Sequence, residues 1–330
     1  MPAMMRAMQV DMPGAKLHMV ERPLPVPQAG QVRIAIICCG VCRTDLHVSD
    51  GDICGDLPII PGHEIVGRIE AAGSGVFGFK TGDRVGVPWL AHTCGNCHYC
   101  ASERENLCDA PLFTGFTRDG GFATHCIADA CYCFAIPEVF DDMHAAPLLC
   151  AGLIGYRAYR MAGETPVLGL YGFGAAAHIL AQIAIWQGRK VFAFTREGDM
   201  QTQELARRLG CGWAGSSGEM PPEPLDAAII FAPDGALVPL ALRAVRKGGR
   251  VVCAGIHMSQ IPGFPYADLW EERSIVSVAN LTRSDGVEFF DLAARAPIQT
   301  IVTAMPLAEA NAALDRLRSG NVEGALVLVV

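Results

Sequence analysis

The sequence predicts an α/β protein with two domains, one mainly β and one built on a doubly wound parallel sheet. Three observations lead to this fold class. The chain has 330 residues, a length typical of two domains, and its 51% hydrophobic content is enough for two cores. Short β-type runs separated by Pro-Gly and Gly-Asp turns fill the first half of the chain. After Pro147, apolar strands alternate with longer amphipathic segments, which indicates βαβ units.

Composition excludes several classes of protein. Only 18% of residues are charged and the formal net charge is −8, so a nucleic-acid surface is not expected. The 14 cysteines would suggest disulfides in a small secreted chain, but residues 1–6 show no signal peptide. We therefore expect reduced thiols and a cytoplasmic protein. The uncharged stretch Thr165–Gly188 is long enough for a membrane span, yet its glycines and Pro166 favour a strand, a glycine turn and a helix.

The elements follow in chain order. In the first half, residues 32–37 and 65–69 have the composition of strands. In the second half the predicted strands are Val167–Tyr171, Lys190–Phe194, Ala227–Ala232 and Arg250–Ala254. The predicted helices between them are Ala175–Gln187, Met200–Leu209 and Ala236–Val245. The tail predicts a helix at Leu307–Arg318 and a strand at Ala325–Val330, which could belong to either domain.

Four cysteines lie close together on a loop interrupted by glycine. They are Cys94, Cys97, Cys100 and Cys108. Zinc prefers four sulfur ligands in a tetrahedron, and two-residue spacers let successive sulfurs converge on one ion. Four thiolates leave no open coordination position, so we expect a structural zinc. A disulfide pair, a redox dithiol or an iron–sulfur cluster is the alternative, and a nucleic-acid-binding zinc module would need a basic flanking helix that this segment lacks. His92 and His98 are nearby in sequence and are expected to be bystanders.

Cys42 and His63 form a second candidate metal pair. Taken alone they carry little information, because a buried cysteine and a hydrogen-bonded core histidine are more common than metal ligands. Their segments, Gly40–His47 and Pro61–Gly67, occur together with the cysteine quartet, the run Ala146–Gly152, a later glycine turn and the terminal helix and strand. This combination resembles the zinc-containing medium-chain alcohol dehydrogenases, and the resemblance extends over nearly the whole chain.

The resemblance implies a domain organisation and an activity. A GroES-like, mainly β catalytic domain would comprise residues 1–149 and 283–330, and a Rossmann-type dinucleotide-binding domain residues 150–282. The activity would be reversible hydride transfer between a primary or secondary alcohol and NAD(P), in a homodimer or homotetramer. An NADPH-dependent aldehyde reductase of the cinnamyl alcohol dehydrogenase type is the alternative. A zinc-free quinone or enoyl reductase and a non-catalytic role are the more distant rivals.

The resemblance implies a catalytic zinc held by Cys42, His63 and Cys150, with Glu64 as an alternate ligand. Together with the structural zinc, each chain would then hold two zinc ions. Two thiolates and a neutral imidazole balance the charge of the ion, and an open position lets it act as a Lewis acid on an alkoxide or carbonyl oxygen. Asp45 matches the carboxylate that holds the ligating histidine, although it would look the same as an ordinary helix cap.

Proton transfer is implied at two further residues of the same segment. Thr44 matches the hydroxyl that takes the substrate proton and passes it through the nicotinamide ribose hydroxyl, and His47 matches the histidine near solvent that receives it. The competing interpretation of His47 is a zinc ligand. Arg43 matches a pyrophosphate contact, though a surface arginine has the same sequence signature.

Apolar residues of the substrate pocket can also be named. Trp89 and Leu281 are expected to line it, and Ile256 is expected beside the pocket and the cofactor. An apolar residue in such a place is more often simply part of the core.

The segment Leu168–His178 predicts a strand, a Gly-x-Gly-x-x-Ala turn and a helix. Gly172 permits the tight turn, Gly174 lets the backbone approach a pyrophosphate, and Ala177 keeps the helix close to the sheet. The expected cofactor contacts in this turn are Gly172, Phe173, Gly174 and Ala175.

The next strand ends at Thr195 and Arg196, where NAD-preferring enzymes usually have an acidic residue. A neutral hydroxyl beside a guanidinium favours a ribose phosphate, because Arg can pair with it through two hydrogen bonds. We therefore expect NADP. Glu197 and Asp199 lie close enough in sequence to keep NAD as the alternative.

Overall fold

The computed structural model describes residues 3–53, 55–320 and 322–330. These residues fall into two compact units. The first unit lies within Met1–Cys150, Asn280–Ala294 and Gln299–Val330, and the second comprises Ala151–Ala279 and Arg295–Ile298. The limits of the units lie near the boundaries expected from the sequence at 149/150 and 282/283. That each unit is a separate GroES-like or Rossmann domain with those boundaries stays a proposal.

Together, the two units contain 17 strands and ten α-helices among the described residues. The strands are β1 (Met4–Gln9), β2 (His18–Pro23), β3 (Gln31–Val41), β4 (Glu64–Ala72), β5 (Arg84–Val87), β6 (Leu90–His92), β7 (Leu112–Phe113), β8 (His125–Asp129), β9 (Phe134–Ala135), β10 (Val167–Tyr171), β11 (Lys190–Thr195), β12 (Trp213–Ser216), β13 (Leu225–Ile230), β14 (Val245–Cys253), β15 (Ser274–Ser277), β16 (Val302–Pro306) and β17 (Ala325–Val329). The helices are α1 (Arg43–Asp50), α2 (His98–Ala101), α3 (Asp142–Ala145), α4 (Ala151–Ala162), α5 (Ala175–Trp186), α6 (Met200–Arg208), α7 (Leu237–Ala244), α8 (Tyr266–Leu269), α9 (Arg283–Ala293) and α10 (Ala310–Ser319). Short 3₁₀ turns occupy Glu105–Leu107, Ala130–Tyr132, Ala146–Leu149 and Leu307–Glu309.

The first unit is built around the long strand β3. The order of its seven-stranded sheet is β16-β17-β3-β4-β5-β9, with β8 also paired to β3. Over residues 31–38 of β3, buried residues alternate with partly buried ones, as expected for a strand with one face on the core, and the last four residues are all buried. β3 pairs with β4 so that Gly40 lies opposite Glu64. The carboxyl end of β3 is therefore a rigid, buried position from which the candidate site begins.

The second unit contains a six-stranded sheet in which every pair of neighbours is parallel. Its strand order is β12-β11-β10-β13-β14-β15, so the direction of winding reverses between β10 and β13. β10 is buried along its whole length, as expected for a central strand of a parallel sheet. This arrangement is the doubly wound fold that the sequence predicted, and the fold class is confirmed.

Most predicted elements agree with the structure to within a few residues, but several bounds differ. β13 begins at Leu225 and ends at Ile230, and β14 begins as early as Val245. The tail helix starts as a 3₁₀ turn before α10, and both tail elements belong to the first unit, because β17 pairs with β3. No helix within the described ranges has the length and apolar character needed to cross a lipid bilayer.

Candidate active site

Cys42, the first candidate metal ligand, lies between the end of β3 and the start of α1. Cys42 is the N-cap residue of α1, and Oδ2 of Asp45 accepts the backbone N–H of Cys42 at 2.8 Å. The other oxygen, Oδ1, accepts the N–H of Gly62 at 3.1 Å and lies 3.1 Å from Nδ1 of His63. Asp45 therefore takes part in the capping box of α1 and is also the partner of His63, so it combines the two roles that the sequence left open. One buried carboxylate fixes the positions of both candidate ligands.

His63 offers one ring nitrogen to the candidate site. Its side chain is 1% exposed, and the contact of Nδ1 with Asp45 leaves Nε2 buried with no hydrogen-bond partner in the described part of the chain. Burying an unpaired polar nitrogen costs free energy, and a bound metal ion would remove that cost. One ligand atom each from Cys42, His63, Glu64 and Cys150 lies within 4.8 Å of all the others.

The two sulfurs of this cluster lie 3.7 Å apart, with Cys150 placed by the 3₁₀ turn Ala146–Leu149. The hydrogen bond with Cys150 lowers the pKa of Cys42, and the same bond, together with burial, raises the pKa of Cys150. Burial and the nearby Cys42 thiolate raise the pKa of Glu64. Two sulfurs beside an unpaired imidazole nitrogen form a donor set that zinc prefers, so these residues fit the implied ion.

Gly40 is a site residue that the sequence analysis missed. It lies opposite Glu64 in the β3–β4 pair, and a Cβ atom at this position would overlap the Glu64 carboxylate. The glycine therefore leaves the space that the carboxylate occupies. Its place two residues before Cys42 gave no separate signal in the sequence.

Replacing Asp45 with asparagine is expected to weaken metal binding. The amide side chain would offer one acceptor oxygen in place of two, so the contacts to Cys42 N–H and to His63 cannot both be kept. Loss of such a partner typically costs about 10- to 100-fold in metal affinity, with about 1 kcal/mol for the helix cap. Competition with a chelator, followed by measurement of the bound zinc, gives the affinity. Asp141→Asn, which changes the N-cap of α3, is the control, and equal zinc retention in the two variants would contradict the assignment.

The proton-relay candidates lie on α1. Thr44 is buried, and its Oγ1 lies 3.8 Å from Sγ of Cys42. His47 is partly exposed and its Nδ1 lies 2.8 Å from Oδ2 of Asp52. His47 is not a member of the candidate ligand cluster, so its alternative role as a zinc ligand has no support from the geometry. Arg43 is exposed, as expected for a residue available to a phosphate.

The three pocket candidates differ in their surroundings. Trp89 lies edge-on against the ring of His63, with 5.2 Å between the ring centroids and 79° between their planes. Leu281 is buried within the first unit, with 4% of its surface exposed. Ile256 is 46% exposed in the second unit. Of the three, only Trp89 has a described contact with the candidate metal cluster.

The cysteine quartet also forms a compact group. One sulfur from each of Cys94, Cys97, Cys100 and Cys108 lies within 4.8 Å of the others. Backbone N–H groups donate hydrogen bonds to these sulfurs. The N–H of Cys94 donates to Sγ of Cys108 with an N···S distance of 3.3 Å, and the N–H of Cys97 donates to Sγ of Cys94 with an N···S distance of 3.4 Å. The N–H of Cys100 also donates to Cys97 and helps to lower the pKa of that thiol to about 6. The backbone thus favours a thiolate at Cys97, whereas burial raises the pKa of Cys108 to about 11. Four converging sulfurs suit a structural zinc.

The two neighbouring histidines bond elsewhere. His92 Nδ1 lies 2.6 Å from Oδ2 of Asp129, and His98 Nε2 lies 3.3 Å from Arg104. Neither belongs to the quartet cluster among the described residues, and their role as bystanders stays a prediction.

A buried carboxylate anchors the quartet loop and was missed by the sequence analysis. Oε1 of Glu105 accepts the backbone N–H of Arg283 at 3.0 Å and its Nε–H at 3.2 Å. Although burial opposes it, bonding to Arg283 lowers the pKa of Glu105. The guanidinium also lies over the Tyr132 ring at 5.2 Å. The quartet loop is therefore attached to the first residue of α9, far away in sequence.

The predicted glycine turn joins β10 to α5 in the second unit. Gly172 has φ +84°, and a Cβ atom there would lie 2.7 Å from the backbone nitrogen of Ala232, so only glycine fits. A Cβ on Gly174, in contrast, would meet nothing within 4 Å. Open space at the first turn of α5 is the feature expected where a pyrophosphate approaches the helix N-terminus, so the turn fits a dinucleotide. Phe173 is buried and Ala175 begins the helix.

At the end of β11 the two candidate cofactor residues are placed differently. Thr195 is 2% exposed, and its hydroxyl contacts the carbonyl of Gly215 and accepts a hydrogen bond from Gln203. Arg196 is exposed. Asp199 accepts the N–H of Thr202 as the N-cap of α6, which occupies one of its oxygens.

Gly174→Asp is expected to weaken binding of the dinucleotide without unfolding the chain. The added side chain enters open space, so the cost to stability is small, but its charge and volume oppose a pyrophosphate at the same place. We expect the dissociation constant of the dinucleotide to rise about 100-fold, since two unfavourable effects of about 1–2 kcal/mol combine. Calorimetric titration measures it. The matched control is Gly218→Asp, another glycine with open space around its Cβ position, and comparable losses in both variants would contradict the prediction.

Comparison with known proteins gives four findings. Residues 28–138 match the model of the alcohol dehydrogenase GroES-like domain family. The chain is 44% identical to a probable alcohol dehydrogenase AdhA from Mycobacterium tuberculosis, over 99% of this chain and 98% of that protein. It is 36% identical to an alcohol dehydrogenase from Geobacillus stearothermophilus, over 99% of this chain and 100% of that one. A cobalt- and zinc-bound thermostable alcohol dehydrogenase from Pyrobaculum aerophilum has a TM-score of 0.88 at 26% identity, covering 99% and 100% of the two chains.

Proposed function

The chain belongs to the zinc-containing medium-chain alcohol dehydrogenase family, and from this premise we propose that Cys42, His63 and Cys150 form its catalytic metal site. The activity of the family is the reversible transfer of a hydride between a primary or secondary alcohol and NAD(P). The observation that carries the proposal is the buried Nε2 of His63, which has no hydrogen-bond partner among the described residues and lies in a cluster with two cysteine sulfurs and the Glu64 carboxylate. The quartet would hold a second, structural zinc.

The residues of α1 would handle the proton of the alcohol. A zinc ion bound at the cluster would supply Lewis acidity toward the substrate oxygen, and the nicotinamide would supply the hydride acceptor. The Thr44 hydroxyl lies beside Cys42 and would accept the alcohol proton. His47, three residues further along the helix, is partly exposed and would release the proton to solvent, with the ribose hydroxyl of a bound nucleotide supplying the link between Thr44 and His47. Asp45 keeps His63 oriented throughout.

Steady-state kinetics in both directions tests the proposal. The zinc-loaded protein should oxidise members of a panel of primary, secondary and aromatic alcohols and should contain about two zinc ions per chain. A kcat/KM that is much higher for aldehydes with NADPH would favour the aldehyde reductase alternative. Protein that binds zinc and cofactor but turns over no alcohol, aldehyde or ketone would refute the proposed site chemistry.

NADP is the proposed cofactor, supported by residues at the end of β11. The position of Thr195 carries no carboxylate, while the exposed Arg196 follows it directly, and the Asp199 carboxylate is engaged as a helix cap. A charged hydrogen bond to a ribose phosphate is worth about 1.5–3 kcal/mol, so Arg196→Gln should lower the preference for NADP over NAD about tenfold or more. An unchanged ratio in Arg196→Gln, or a wild-type preference for NAD, would remove this part of the proposal.

We also propose a homodimer or homotetramer in a cytoplasmic, reducing compartment. β15 is an edge strand of its sheet, and Tyr266 and Trp270, at the two ends of α8 in the same unit, are 68% and 59% exposed, which supports association through this unit. The 13 described cysteines are free thiols, and Cys54 lies outside the described residues. Light scattering coupled to size exclusion gives the subunit number, and a monomer would contradict the proposal.

A further inference from the structure

Asp52 is a carboxylate that contacts the ring of His47 from just beyond the end of α1. Its Oδ2 lies 2.8 Å from Nδ1 of His47, and the side chains of His47 and Asp52 are 23% and 56% exposed. An ionised carboxylate only accepts hydrogen bonds, so Nδ1 carries the hydrogen in this contact. In the neutral ring, the lone pair that can take up a proton is then on Nε2.

The backbone places Asp52 at this position. Helix α1 is capped by Gly51, which has φ +82°, and the N–H groups of Gly51 and Asp52 both donate to the carbonyl of His47, the second at 3.0 Å. A Cβ on Gly51 would lie 2.5 Å from the side chain of Pro13, so the turn between the helix and Asp52 requires glycine. Asp52 is therefore joined to His47 through the backbone as well as through the side chain.

We propose that Asp52 is a positioning residue of the proton relay, which keeps the hydrogen of His47 on Nδ1 and presents Nε2 as the atom that takes up the proton of the alcohol. This inference rests on the proposed function, in which His47 releases that proton to solvent. Uptake gives an imidazolium with a hydrogen on each ring nitrogen, and Nε2 then gives its proton to water or to a buffer base. The Nδ1–H stays bonded to Asp52 in both steps, and this bond is stronger while the ring is charged.

Loss of the carboxylate would leave the ring without a fixed tautomer or orientation. The hydrogen of the neutral ring could then lie on either nitrogen, and only part of the molecules would present a lone pair where the proton arrives. The pair is partly exposed to solvent, so its contribution is smaller than that of a buried histidine–carboxylate pair. We therefore expect slower proton transfer and not a complete loss of turnover.

The first turnover of ethanol or benzyl alcohol gives the test, because product release does not mask proton transfer there. Stopped-flow absorbance measures the rate of reduced-nucleotide formation in the zinc-loaded protein, with NADP or NAD, whichever the wild type uses better. Asp52→Asn should lower this rate about three- to tenfold. The matched control is Asp50→Asn, which removes an equal charge at the same end of α1, where Asp50 accepts a hydrogen bond from Arg318 at 2.7 Å. This control should keep the wild-type rate.

A double-variant cycle separates positioning of His47 from a merely structural role. In a His47→Gln background, Asp52→Asn should cause no further loss, because it acts only through the imidazole. Imidazole added to the buffer at constant pH and ionic strength should restore the rate of Asp52→Asn and leave that of the wild type unchanged, since a small base then takes up the proton in place of His47. Asp52→Glu should recover part of the rate, because it restores the charge.

Three results would overturn the inference. These are a wild-type rate in Asp52→Asn, an equal loss in the wild-type and His47→Gln backgrounds, and a loss that imidazole does not restore. If Asp52→Asn does not fold, the ¹⁵N spectrum of His47 in the wild-type protein decides, because it distinguishes the two tautomers, and a neutral ring with its hydrogen on Nε2 contradicts the inference. Zinc-loaded wild-type protein that oxidises no alcohol refutes the proposed function instead, so the two failures are distinguishable.

Discussion

Cys42→Ala should abolish alcohol turnover while the chain still folds. The variant removes one of the three side chains proposed to hold the catalytic ion, and Lewis-acid stabilisation of the substrate oxygen is worth several kcal/mol. Each 1.36 kcal/mol is about a factor of ten in rate, so kcat/KM should fall about a thousandfold or more. The backbone N–H of Cys42 still donates to Asp45, and the loss at the helix cap is about 1 kcal/mol.

The measurement combines kinetics, metal analysis and thermal unfolding on the same preparation. The variant should retain about one zinc ion per chain, held by the quartet, and a melting temperature near that of the wild type. Cys211→Ala is the control, because Cys211 is a buried thiol of the second unit and is not a member of either cluster. Substantial turnover in Cys42→Ala with its zinc reduced to one would show that the quartet, and not this cluster, supports the reaction.

Cys100→Ala is expected to have its largest effect on stability. Three sulfurs would remain in the quartet loop, and structural zinc sites contribute directly to folding free energy. A loss of several kcal/mol corresponds to a fall in melting temperature on the order of 10 °C for a chain of this size. The anchor at Glu105 would weaken as well, because its contact with Arg283 depends on the conformation of the same loop.

Differential scanning calorimetry and the soluble yield test this prediction, with activity measured at a temperature below the transition. Residual kcat per folded molecule should remain near the wild-type value, in contrast to Cys42→Ala. Cys131→Ala, at an exposed thiol outside the quartet, is the matched control. Folding defects of equal size in Cys42→Ala and Cys100→Ala would contradict the division into catalytic and structural sites.

The parallel sheet could be predicted closely because its signal is local. β10 runs over Val167–Tyr171 as expected, and α5 begins at the predicted Ala175. The apolar strand, the glycine turn and the uninterrupted helix are all contiguous in sequence. The quartet is similar, since its four sulfurs lie on one short loop. The ligand assignments remain predictions, but the structure brings together the atoms that each assignment requires.

Other features depend on pairing between distant segments, which spacing alone does not reveal. Cys42 and His63 meet because β3 and β4 pair with Gly40 opposite Glu64, and Cys150 joins them from a turn far along the chain. The helices α4 and α9 were not predicted. For α9 a readable signal existed, the capping box formed by Thr282 and Asp285. The glycines of α4 reduced its helical signal.

The position of β17 has a consequence for how the protein is made. Leu326 pairs with Val41 and Val329 with Cys38, so the strand that leads to Cys42 has one neighbour from the opposite end of the sequence. During synthesis on the ribosome, the parallel sheet of the second unit emerges complete before this neighbour does. The central sheet of the first unit can close only afterwards, through contacts that span almost the whole sequence. The edge of β3 that leads to Cys42 therefore stays without this partner in the nascent chain until β17 is synthesised.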